Sequence, residues 1–177
     1  MPDMSYDFTK FKKSLSNSEE WVKKEFTGIR TGQANPALLD SMNVRSLGSI
    51  MTEGPRMLRI TPWDTGAIKE IEKTITMANL GVSVSVDEKG LRVNFPDLTA
   101  ERRVEIVKIA KDRLEEGKKQ IRIHRDEIMK DLKAKQKSGA MGEDEAHRHE
   151  KEAQKLVDEH NKKLEEFYVK KEKEIKA

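Results

Sequence analysis

At 177 residues, with 38% charged and 35% hydrophobic residues, the chain has room for one domain or two small ones and cannot be mostly compact core. It contains no cysteine, which excludes disulfides and thiolate metal sites and suits a reducing compartment. No apolar run is long enough to span a bilayer, and the opening Met1-Pro2-Asp3-Met4-Ser5-Tyr6 has no signal-peptide pattern, so no membrane association is expected. The net charge of +3 is unevenly spread: residues 102–137 hold thirteen Lys or Arg against seven Asp or Glu. A large charged fraction with helical periodicity predicts long helices packed along narrow stripes, hence an elongated shape.

The first element is a helix from about Asp7 to Arg30, because Phe8, Phe11, Leu15, Val22, Phe26 and Ile29 follow the three-and-four spacing of one buried stripe. Gly32 and Pro36 then break the pattern. Residues 37–96 read as a small mixed domain, with short strands at Leu39–Arg45 and Arg56–Ile60. Asp64 caps a helix whose Ile68, Ile71, Ile75 and Ala78 share a face until Asn79-Leu80-Gly81 stops it. Val82–Val86 and Leu91–Phe95 alternate about the turn Asp87-Glu88-Lys89-Gly90, which predicts a hairpin. Thr99 is a plausible N-cap for a helix reaching Lys137, in which Val107, Leu114, Ile121 and Ile128 recur every seven residues beside a row of Ala110, Gly117 and His124. The small residues of that row would let a partner helix come close. After the loop Ser138–Gly142 comes a last helix with Ala153, Leu156, His160, Leu164 and Phe167 on its seam.

Three amphipathic helices, none able to bury its stripe alone, imply a three-helix bundle. The bundle is discontinuous, residues 1–30 plus 97–177, with a β/α/β domain inserted at residues 31–96. Two crossings, near residues 31–36 and 94–98, join the two parts, and paired linkers permit rotation about a hinge. Thr31, Gly32, Asn35 and Pro36 are the hinge candidates.

The chemistry of catalysis is missing from the sequence: there is no phosphate-cradling glycine loop, no cysteine nucleophile and no nucleophile-elbow serine. His147-Arg148-His149 places residues on divergent helix faces and lacks the HExxH spacing, so no metal and no cofactor is expected. His124 and His160 read as packed, hydrogen-bonded core histidines, and Trp21 and Trp63 as packing residues rather than base-stacking platforms. Lys108, Lys111, Lys118, Arg122 and Arg125 share a helix flank beside the apolar seam, interrupted by Glu115. Charge alone allows two readings of this stripe, a salt-bridged solvated face or a rail for an RNA backbone.

Six blocks decide between them. Arg30-Thr31-Gly32-Gln33-Ala34-Asn35-Pro36-Ala37-Leu38-Leu39-Asp40, Pro62-Trp63-Asp64, Asn79-Leu80-Gly81, Leu98-Thr99-Ala100-Glu101-Arg102-Arg103, Glu143-Asp144-Glu145 and Gln154-Lys155-Leu156 occur in this order. Together they resemble the signature of the ribosome recycling factor family over almost the whole chain. The resemblance implies an α+β, L-shaped two-domain protein similar in outline to a transfer RNA. It implies a non-enzymatic translation factor that binds the post-termination ribosome and, with elongation factor G and GTP, separates the subunits and releases messenger and transfer RNA. Arginines at the positions of Arg30, Arg122 and Arg125 are associated in this family with large-subunit ribosomal RNA. Lys108, Lys111 and Lys118 join them as candidates because they share the basic flank. A cytoplasmic monomer is expected, or one in an organellar matrix if a transit peptide has been removed.

Three departures mark a divergent member. Arg45-Ser46 runs almost directly into Leu47-Gly48-Ser49-Ile50 where the family has a Tyr-Gly-Thr-Pro-type segment, which suggests a shortened small domain. Asp126 stands in Arg122-Ile123-His124-Arg125-Asp126-Glu127 where the family has a third arginine, and Gln33 replaces a basic residue. The alternative reading is a ribosome-associated regulatory or hibernation paralogue that binds without splitting.

Overall fold

A computed structural model describes residues 5–177. The chain divides into two compact units, one formed by the chain up to Lys24 with Lys111–Lys170, the other by Glu25–Ala110 with Lys171–Ala177.

Three helices, α1 (Thr9–Thr27), α4 (Ala100–Lys137) and α5 (Glu143–Lys176), pack as a bundle; the first unit holds most of each, and the second takes the end of α1, the start of α4 and the end of α5. Leu15 and Val22 of α1, Leu114, Ile121 and Leu132 of α4, and Ala153 and Leu164 of α5 are wholly excluded from solvent. Each buried aliphatic side chain of this size contributes roughly 1.5–3 kcal/mol, which is what holds helices of so little intrinsic hydrophobicity together. The six apolar residues expected on the first helix are all buried, although α1 ends at Thr27 rather than Arg30. Gly117 sits where three helices meet: a Cβ there would collide with Val22 Cγ2 and lie 3.3 Å from Leu164 Cδ1.

One ion cluster lies inside this bundle. Glu19 of α1 places Oε2 at 2.8 Å from His160 Nδ1 and 3.5 Å from Lys163 Nζ, and Oε1 at 3.4 Å from Lys23 Nζ. Burial pushes the Glu19 carboxyl up, but Lys163, His160 and Lys23 outweigh it and hold it below the ordinary glutamate value. A carboxyl whose pKa is lowered on folding stabilises the fold above its unfolded pKa, and that contribution is lost as pH falls through the folded one. Glu19→Gln is therefore expected to lower Tm near neutral pH by about 2–4 °C, as ~1 kcal/mol would in a chain of this size. The difference from the native chain should shrink below pH 4, as followed by circular dichroism melts. A difference that did not change with pH would remove the charge from this account.

The second unit carries a four-stranded antiparallel sheet of order β1-β2-β4-β3. Its strands are β1 (Gly48–Gly54), β2 (Met57–Pro62), β3 (Ser83–Asp87) and β4 (Gly90–Asn94). One face buries Leu58, Ile60, Leu91 and Val93 against Ile71 and Ile75 of α3 (Ile68–Met77) and against Leu38, Leu39 and Val44. The other face carries charge. Arg59 donates to both carboxylate oxygens of Asp87 at 2.5 and 2.9 Å, and Arg92 Nε donates to Glu53 at 2.9 Å while its Nη1 lies 3.6 Å from Asp87, so one chain of ion pairs crosses all four strands.

Two local expectations change. Leu39–Arg45 is not a strand: Asn35 Oδ1 accepts the Ala37 N–H at 3.0 Å, Pro36 supplies a helical φ, and a 3-10 turn runs over Pro36–Met42. Asn43, at φ 59°, ends it, and α2 (Val44–Leu47) follows. Leu38 and Leu39 are both buried, which adjacent residues of a half-buried strand would not be. The first strand lies later, at Gly48–Gly54. Trp63, read as a packing residue, is 71% exposed, and its backbone N–H donates to Leu47 O at 2.9 Å. The stop of α3 at Asn79 (φ 50°) and Gly81 (φ 67°) and the β3–β4 hairpin fall where the sequence places them, but Asp64 caps a 3-10 turn at Thr65–Ala67 ahead of α3, and Ala78 is exposed. Thr99 Oγ1 caps α4 by accepting the Arg102 N–H at 3.1 Å.

Candidate nucleic-acid interface

Four of the six candidate cations lie together on one flank of α4 in the bundle unit, at spacings of seven, four and three residues: Lys111, Lys118, Arg122 and Arg125. Their environments differ. Lys111 Nζ stands 5.1 Å from the centre of the Tyr168 ring, a cation–π arrangement that still leaves the ammonium open to an anion. Lys118 is ion-paired with Glu165 and lies 3.9 Å from Glu115. Arg122 is exposed and its side chain meets no partner among the described residues. Arg125 is half-buried: its Nε donates to Gln154 Oε1 at 2.7 Å and its Nη1 to Asp126 Oδ1 at 3.2 Å, while Gln154 donates onward to Asp158 at 2.8 Å.

This arrangement can hold phosphate in a specific way. A guanidinium fixed at its Nε by a neighbouring helix keeps its terminal nitrogens aimed outward with little rotamer entropy left to lose, and an unpaired arginine one turn earlier supplies a second fork. Asp126, the acidic departure noted in the sequence, lies within hydrogen-bond range of Arg125 and weakens its field. Beyond Arg125 a groove of about 720 Å³ continues along α4, lined by Lys130, Lys133 and Lys137 together with Asp126, Met129 and Glu150. Sequence reasoning counted these lysines in the basic segment without singling them out; their own three-and-four spacing was the available signal.

The other two candidates belong to the sheet-bearing unit. Lys108 is exposed. Arg30 is only 7% exposed, and its guanidinium donates to the carbonyls of Leu80 (3.1 Å), Gly81 (2.9 Å) and Pro96. Burial, with Arg102 nearby, pushes its pKa down. Around the hinge candidates, Thr31 Oγ1 accepts the Gln33 N–H at 3.5 Å, nothing lies within 4 Å of where a Gly32 Cβ would be, and the Ala34 N–H is held by Pro55 O at 2.8 Å. Asn35 and Pro36 are committed to the 3-10 turn.

His160 is packed beside Glu19 as described, but His124 is 28% exposed and 3.6 Å from Glu127, so it is not a core residue. The most buried histidine is His149, at 9% exposure, against the rings of Tyr6 and Phe8; the sequence did not distinguish it. Among the described residues no group of three or more His, Asp or Glu is arranged to hold a metal ion, and no helix is long and apolar enough to cross a membrane.

The sequence matches the family model described as "Ribosome recycling factor" over residues 22–175. The chain belongs to the ribosome recycling factor family. It is 36% identical to the ribosome-recycling factor of Rubrobacter xylanophilus over 178 residues, covering 96% of each chain. With that of Synechocystis sp. it shares 39% identity over 173 residues, covering 93% of this chain and 95% of the relative. Among solved structures it resembles a ribosome recycling factor determined in solution, with a TM-score of 0.76 and 29% identity, covering 96% of this chain and 95% of that one. A second match is to models of the T. thermophilus ribosome recycling factor and the E. coli elongation factor G bound to the E. coli post-termination complex. Its TM-score is 0.64 at 35% identity, covering 95% and 96%. Ribosome recycling factors are translation factors, not enzymes.

Proposed function

We propose that this chain acts on the post-termination ribosome together with elongation factor G, promoting separation of the subunits. The observation that carries this is the near-complete match to ribosome recycling factors in both sequence and fold, including the relative placed with elongation factor G on a post-termination complex. The cationic flank of α4 grips large-subunit ribosomal RNA through Arg122 and Arg125, with Lys111 and Lys118 adding charge and Lys130, Lys133 and Lys137 extending the track. Lys108 lies on the same helix as a further contact. The discontinuous bundle of residues 1–30 and 97–177 serves as the gripping body, and the inserted domain of residues 31–96 receives the push of the GTPase. Movement between them is taken up near Thr31–Pro36. The energy comes from GTP hydrolysis on the partner. The working compartment is the cytoplasm, and the acting species is a monomer.

Against a paralogue that binds without splitting stand the four paired strands of the sheet and the alignment with the Rubrobacter xylanophilus factor over 96% of both chains. The decisive experiment follows light scattering of post-termination ribosomes mixed with this protein, elongation factor G and GTP. A GTP-dependent fall in scattering is expected; salt-sensitive binding without that fall would replace this reading with the paralogue.

A further inference from the structure

We propose that Arg30 is a positioning residue rather than an RNA contact, and that with Arg56 and Arg103 it clamps the crossing Phe95–Leu98 that leads into α4. Every residue of that crossing is held. Phe95 is fully buried, its ring centre 5.5 Å from the Arg30 guanidinium carbon, and its N–H donates to Arg56 O at 2.8 Å. Pro96 O accepts from Arg30 Nη2. Asp97 pairs with Arg56 Nη2 at 2.6 Å. Leu98 is 7% exposed and its carbonyl accepts from Arg103 Nε at 3.4 Å.

The two flanking arginines reach further. Arg30 Nη1 donates to Leu80 O and Gly81 O, so one guanidinium joins the end of α1, the left-handed turn that stops α3 and the crossing. Arg103 Nη1 donates to the last carbonyls of the chain, those of Ile175, Lys176 and Ala177, at 3.3, 2.8 and 3.0 Å, and so caps α5 from α4. A buried cation needs acceptors, and three convergent carbonyls supply them to the terminal nitrogens of Arg30, while its Nε is buried without a partner. A phosphate, by contrast, has no face of Arg30 to meet at 7% exposure. In the crossing after α1, nothing lies within 4 Å of where a Cβ on Gly32 would be.

The functional half of this inference rests on the recycling reading above; the geometric half does not. Two variants separate them. Arg30→Lys keeps the charge but cannot fork to three carbonyls, and Arg30→Gln removes the charge. Hydrogen exchange at the amide of Phe95, whose N–H is held by Arg56 O, is expected to accelerate at least tenfold in Arg30→Lys, with overall helix content unchanged. GTP-dependent splitting should fall on the order of tenfold while ribosome affinity changes less than about twofold. In Arg30→Gln the dependence of log K on log salt should match the native chain. A loss of about one unit of that slope, the mark of a missing phosphate contact, with native exchange at Phe95, would overturn the clamp. If the native protein does not split ribosomes, the recycling reading fails, and the exchange data still decide the clamp.

Discussion

Gly117→Leu is expected to destabilise the bundle by at least ~3 kcal/mol, because overpacking a closed contact costs about 1–3 kcal/mol or more. The added side chain has no free direction: its first carbon already collides with Val22, and Leu164 closes the opposite side. Alanine isolates the cause. In an exposed helix, glycine to alanine gains ~1 kcal/mol, so a fall in Tm for Gly117→Ala would measure the clash and not the propensity. Val22→Ala combined with Gly117→Ala should then recover stability relative to Gly117→Ala alone, a coupling read from urea unfolding of the four-member cycle. Additive effects would mean that the helices can part at Gly117 without cost.

Arg122→Glu combined with Arg125→Glu is expected to weaken ribosome binding on the order of 100-fold, two charge-assisted contacts at about 1.5 kcal/mol each. Helicity and Tm should change little, since Arg122 has no partner to lose and Arg125 is 40% exposed. The salt slope should fall by about two units, and cosedimentation across a salt series measures both quantities. Asp126→Arg supplies the opposite test, because it releases Arg125 from an acidic neighbour and should tighten binding. If the double reversal bound normally with its fold intact, the α4 flank would not be the RNA-facing surface.

The three helices were legible because each must hide one stripe in water. Leu15, Val22, Leu114, Ile121 and Leu164 all lie on the seams that their spacing predicts, and all are fully buried. The β3–β4 hairpin and α3 were legible for the same reason, aided by stop and turn residues. What the sequence hid was decided at long range or at an edge. In β1, Met51, Thr52 and Glu53 are exposed and Ile50 is only half-buried, so no alternation marks the strand. Leu38-Leu39 mimics a strand because both leucines are buried, yet the Asn35-Pro36 turn before them sets a helical course. Arg30 could be named from its motif, but its burial could not, since its three carbonyl partners lie 50, 51 and 66 residues away. The basic flank was visible as spacing; that Lys118 is neutralised by Glu165, and Arg122 by nothing among the described residues, required the neighbouring helix.

An open four-stranded sheet leaves two strands, β1 and β3, with unpaired backbone edges, and such edges invite a second sheet to dock. Here both are made poor templates for self-association. Pairing of β1 slips between Thr52 and Gly54, leaving a bulge at Glu53, and β3 is five residues long and closes on Asp87. Bulges, short edges and charge at an edge are the devices by which natural sheets avoid fibre-like stacking. Glu53 and Asp87, which anchor the ion pairs across the sheet, also put charge on its two edge strands. Neutralising Glu53 alone would expose that protection as turbidity, whereas neutralising Asp87 would also strand the nearly buried Arg59 and cost stability.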